Sequence, residues 1–189
     1  MDIKNERINN FLNKVRFIEE RGLYPIGVIG IRKIDTFIGR IIKFFQNDPY
    51  HHVEFLLSDN KTTLASRNGI GVDFYSVEDK YVKDKYDIFN FDEQFNEEKK
   101  KLFYIYLKTL LIYELNYDYI SVFSVICNNI IKYSNGSYCS EIIYDITKFC
   151  KYPLVNNNHK IFNNIIYPSD ICKSIRLINI KYRVNNNES

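Results

Sequence analysis

At 189 residues the chain can enclose one ordinary hydrophobic core but hardly two independent domains. Its 46% hydrophobic and 16% aromatic content excludes a disordered chain, although it contains no Trp. The formal charge of +3, from 26 basic and 23 acidic residues, is too slight and too mixed for a phosphate-binding groove, so no nucleic-acid partner is expected.

Residues 3–20 place Ile8, Phe11, Leu12, Val15 and Ile18 at helical spacing, and Gly22 is available to end that helix. The segment YPIGVIGIRK predicts a first strand around 27–32. Residues 34–46 repeat Phe37, Ile38, Ile41, Ile42 and Phe45 opposite Arg40 and Lys43, an amphipathic helix suited to a core or to transient membrane contact. After Pro49, HHVEFLL predicts a second strand over 52–57, followed by TTLAS and VDFYSV as third and fourth strands in an antiparallel meander. Residues 78–93 read as a linker or surface loop.

A helix is predicted over 96–115 from Phe103, Tyr106, Leu107, Leu110 and Leu111, then an apolar segment over 120–132 and a turn at 134–136. A further helix runs from near Cys139 to about Cys150. Tyr152 to Asn164 reads as a polar loop, YPSDICKS as a capped turn and IRLINIKYRV as a final strand. Strands, then a helical block, then one more strand define an α+β chain.

The sequence has no apolar run near the roughly 20 residues of a membrane-spanning helix. MDIKNERINNFLNK also lacks the features of a signal peptide, so a cytoplasmic location is expected. Cys127, Cys139, Cys150 and Cys172 form no CxxC or CxxxC, and His51, His52 and His159 are the only histidines. No metal or cofactor is therefore expected, and the cysteines are expected as free thiols. Oligomeric state is not encoded in any of these patterns.

Cys139 is the cysteine with chemical promise, because the turn at Gly136 and Ser137 delivers it to a helix entrance. There, unpaired backbone N–H groups and the helix dipole favour a thiolate. Ser140 and Glu141 suit the first turn, while Ile142, Ile143 and Ile146 anchor the helix. A nucleophilic thiol needs a base. His159 lies in a polar loop, whereas His52 shares one side of its strand with Glu54, about 6.5 to 7 Å along a regular strand. Direct orientation of the ring by Glu54 then requires favourable rotamers or water.

The ordered stretches IGVIGIRK, PYHHVEFLL, LASRNGIGVDFYSV, YDYISVF, YCSEIIYDI and YPSDICKS resemble the NlpC/P60 superfamily. The likeness is to its circularly permuted papain-like branch of YiiX-like bacterial hydrolases and related poxviral proteins, whose histidine strand precedes the cysteine helix. The resemblance covers roughly residues 24–180, leaving 1–22 as an N-terminal helical extension and 23–189 as the permuted domain. It implies an antiparallel sheet packed against a helical block, with the catalytic histidine at His52 and the nucleophile at Cys139. Many members carry a polar third residue, often Glu, on the next strand. Here Ala65 stands at that position, which leaves the role to Glu54, Ser66, a main-chain carbonyl or water.

The implied activity is that of a cysteine hydrolase or acyltransferase, acting on a peptide or acyl-containing substrate at an amide, thioester or ester carbonyl. A viral origin, with a host-cytoplasmic site of action, would accord with the poxviral members. The competing expectation is a noncatalytic interaction protein that retains the papain-like scaffold.

Overall fold

The fold is taken from a computed structural model, which describes residues 3–32, 50, 52–67, 71–77, 86–110, 139–155 and 166–180. Helix α1 (Ile3–Glu20) forms where the apolar spacing predicts it, burying Phe11, Val15 and Ile18. Gly22 ends it in the left-handed region at φ +64°, which lets the Leu23 N–H reach back to the Ile18 carbonyl at 2.9 Å. Across the domain, Lys14 binds the Asp73 carboxylate at 2.8 and 2.9 Å.

Strands β1 (Pro25–Ile31), β2 (His52–Leu57), β3 (Thr62–Arg67), β4 (Gly71–Ser76), β5 (Tyr86–Phe91) and β6 (Leu177–Ile180) make one antiparallel sheet in the order β4-β3-β2-β1-β5-β6. The apolar PIGVIGI run suits β1 to its place between β2 and β5, where it is buried almost throughout. Gly30 permits close packing there: a Cβ would come within 2.8 Å of both Cys172 Sγ and the Tyr50 ring. The β2–β3 turn is set by Asp59, whose carboxylate accepts from the Lys61 and Thr62 N–H groups at 3.0 and 2.9 Å.

Strand β5 corrects the linker or loop predicted over 78–93. Charged neighbours mask its alternation, but Phe89 and Phe91 point into the main core while Tyr86 and Ile88 pack on the other side of the sheet. Asp87 is held by Arg32 Nε at 2.6 Å and by the Tyr50 hydroxyl at 2.5 Å.

Helix α2 (Glu97–Thr109) starts at Asn96, whose side chain accepts from the Lys99 N–H at 3.0 Å. Helix α3 (Cys139–Phe149) packs across β2 and β3 and touches α2. YPSDICKS, expected as a capped turn, contains a short helix, α4 (Pro168–Cys172), in which Asp170 accepts from the Tyr167 N–H at 2.8 Å. The last strand is shorter at its start than expected, beginning at Leu177. The amphipathic segment 34–46, the segment 120–132 and the turn at 134–136 lie outside the described residues.

One core joins α1, α2 and α3 to the sheet through Val15, Phe55, Leu64, Phe103, Ile142, Ile143 and Ile146. Each fully buried aliphatic side chain in it contributes about 2 kcal/mol of transfer free energy. The result is an α+β fold whose antiparallel sheet packs against a helical block.

Candidate active site

Along β2, Val53, Phe55 and Leu57 enter the main core, so His52, Glu54 and Leu56 alternate with them. On β3 the matching positions are Thr63, Ala65 and Arg67. Phe55 pairs with Leu64 and Leu56 with Thr63, a register whose continuation sets Ala65 opposite Glu54. The methyl group of Ala65 leaves the longer Glu54 side chain room between Thr63 and Arg67.

Glu54 is only 1% exposed, a position that a carboxylate tolerates when paired and hydrogen-bonded. Its Oε1 receives Arg67 Nε at 2.9 Å and Nη2 at 2.6 Å, and lies 3.0 Å from His52 Nε2. Its Oε2 accepts from the Thr63 hydroxyl at 2.8 Å. The Arg67 guanidinium lies flat enough on Tyr75 for its carbon to sit 3.5 Å from the ring centroid. The direct contact between His52 and Glu54 removes any need for a bridging water.

His52 is the first residue of β2 and Cys139 the first of α3, and the two meet in a hydrogen bond. Because Nε2 faces Glu54, Nδ1 is the ring nitrogen left for sulfur. The Val53 and Ser140 backbone N–H groups also donate toward the thiol. The Ser140 hydroxyl donates to the Ile166 carbonyl at 2.6 Å, tying the helix entrance to the segment before α4.

Burial by itself would raise the Cys139 thiol, but the adjoining imidazolium and the two backbone donors lower it below its ordinary value. Burial likewise disfavours the charged His52 ring, yet the Cys139 thiolate and the Glu54 carboxylate raise its pKa to about 9. Both shifts favour a thiolate–imidazolium pair. The Cys139 residue is 5% exposed and the His52 side chain 17% exposed.

His52, Glu54 and Cys139, the three residues singled out from the sequence, thus come together. Of the alternatives for the third position, Glu54 makes the contact, whereas Ser66 alternates onto the helix-facing side of β3. Cys150 and Cys172 are buried thiols and, like Cys139, in no disulfide. Burial pushes the Cys150 thiol up to about 12, the opposite direction from Cys139. His51, Cys127 and His159 lie outside the described residues, as do residues 136–138.

Thr63, Arg67 and Tyr75 were not singled out by the sequence. The signal lay in the odd-numbered positions of β3, but it becomes informative only once the β2–β3 register is known. A separate cavity of about 380 Å³ lies between α1 and the β3–β4 hairpin, lined by Lys14, Ile18, Thr62, Phe74 and Tyr75 among others.

No family model matches the chain, and no curated protein matches it. Among solved structures, the fold is similar to the crystal structure of the metalloprotein YiiX from Escherichia coli O157:H7. The TM-score is 0.60 at 13% identity, over 82% of this chain and 96% of that one. Among the described residues here, no group of three or more His, Cys, Asp and Glu side chains is arranged to hold a metal. The Glu54 oxygens are already engaged by Arg67, His52 and Thr63. No helix among the described residues is long and apolar enough to cross a membrane. In fold, the chain is an α+β protein similar to YiiX, with its antiparallel sheet set against a helical block.

Proposed function

We propose that the protein is a cysteine hydrolase or acyltransferase of the circularly permuted NlpC/P60 branch, acting on a peptide or acyl-containing substrate. The observation that carries this reading is the thiol at the start of α3, hydrogen-bonded to a histidine whose other ring nitrogen faces a buried carboxylate. The order of elements supports it as well, since the histidine strand β2 precedes the cysteine helix α3.

In this mechanism the Cys139 thiolate attacks an amide, thioester or ester carbonyl carbon, forming a C–S bond while the carbonyl electron pair moves to oxygen. The Cys139 backbone N–H, at the helix entrance, would donate to that oxyanion. As the tetrahedral state collapses, the bond to the leaving group breaks and the His52 imidazolium supplies its proton. Water or another acceptor then attacks the acyl-thioester and yields its proton to His52. The C–S bond breaks, releasing the acyl product and restoring the thiolate–imidazolium pair. Glu54 orients the ring throughout.

Labelling the full chain with a panel of electrophilic acyl probes tests this reading. C139A is expected to abolish labelling, and H52A to slow it by about 10²-fold or more. Equal labelling of C139A and the wild type overturns the nucleophile assignment. Wild-type protein that no probe labels favours a noncatalytic scaffold.

A further inference from the structure

The thiol reading leaves a question at Glu54 Oε1, which faces the imidazole and the guanidinium together. His52 Nε2 lies 3.0 Å from this oxygen, while Arg67 approaches it through Nε at 2.9 Å and Nη2 at 2.6 Å. Oε2 turns instead toward Thr63. Tyr75 supports the guanidinium from below, and the Arg67 side chain is 12% exposed. Its guanidinium sets a positive charge directly behind Glu54.

We infer that Arg67 is a positioning residue that moderates the hold of Glu54 on His52, by competing for the same oxygen and by neutralising part of the carboxylate charge. Among the described residues, the groups facing the ring are Cys139 from α3 and Glu54 from β2, backed by Thr63 and Arg67 of β3 and then Tyr75 of β4. β1 sets apolar Ile31 across from His52. An unmoderated carboxylate would bind the charged ring more tightly and slow proton release to a leaving group. Arg67 thus acts on the reacting pair through Glu54, without touching substrate.

The inference rests on the thiol reading, and one experiment separates the two. The His52 ring is titrated by NMR in the full, histidine-labelled chain, with H52Q identifying its signal among the three histidines. Iodoacetamide alkylation of Cys139 is followed in parallel. R67Q is expected to raise the His52 pKa by about one pH unit, as removal of one nearby cationic charge should. R67K, which keeps the charge but loses the two-pronged contact, is expected to shift it upward by less and serves also if R67Q does not fold. An unchanged or lowered His52 pKa in the folded variants overturns the role of Arg67. Failure of the thiol reading shows separately, as wild-type Cys139 that alkylates no faster than Cys139 in H52Q, and the effect of R67Q on the ring is still readable.

Discussion

Glu54 reaches His52 at 3.0 Å from two residues along the same strand, and it does so opposite an alanine. In a regular strand, side chains at that spacing stand about 6.5 to 7 Å apart. Ala65 provides the lateral room, and Thr63 and Arg67 hold the carboxylate from β3. The carboxylate that faces the imidazole therefore comes from the same strand as the histidine.

The opposing shifts at Cys139 and His52 define a pH window. The thiol titrates below its ordinary value, so Cys139 alkylation should set in below pH 9 and require higher pH in H52Q, where burial remains without the imidazolium. Turnover by an acyl-transfer enzyme should fall as pH rises through about 9, where His52 loses the proton needed by the leaving group. Rate profiles of alkylation and probe turnover measure the two limbs. E54Q removes a charge that raises the His52 pKa and should move the alkaline limb downward.

Removing Glu54 alone leaves Arg67 without its buried partner. E54A is expected to lose about 3 kcal/mol of stability by denaturant titration, within the usual cost of breaking such a pair. E54M/R67M should lose less than the sum of its two single substitutions, because neither charge is then left behind. Strict additivity would contradict the ion pair drawn by the geometry.

The opposition of Glu54 and Ala65 also invites an exchange. E54A/A65E moves one carboxylate across a strand pair without changing the number of charges. It should recover part of the alkaline-limb position lost in E54A. An identical limb in E54A and E54A/A65E would show that a carboxylate at position 65 cannot orient the ring.

Gly30 offers a test of packing behind the site. G30A would force its Cβ against Cys172 Sγ and the Tyr50 ring at 2.8 Å, costing about 1 to 3 kcal/mol. Thermal denaturation should show a lower Tm. The Tyr50 to Asp87 hydrogen bond provides a local readout of any shift.

The helix entrance at Cys139 and the alternation of HHVEFLL were legible because both depend on residues close together in the chain. The same local rules found α1, the β2–β4 meander and α2. They missed β5 because its apolar alternation is short and flanked by charge, and its extended form is stabilised by pairing with β1 and β6. Arg67 was hidden for a related reason: an arginine at a strand end carries no local sign of its carboxylate partner. Sequence by itself determined which residues could supply a thiol, an imidazole and a carboxylate. Only tertiary structure decided that His52 meets Cys139 and that Glu54 serves opposite Ala65, because strand register, burial and paired charge are set between segments distant in the chain.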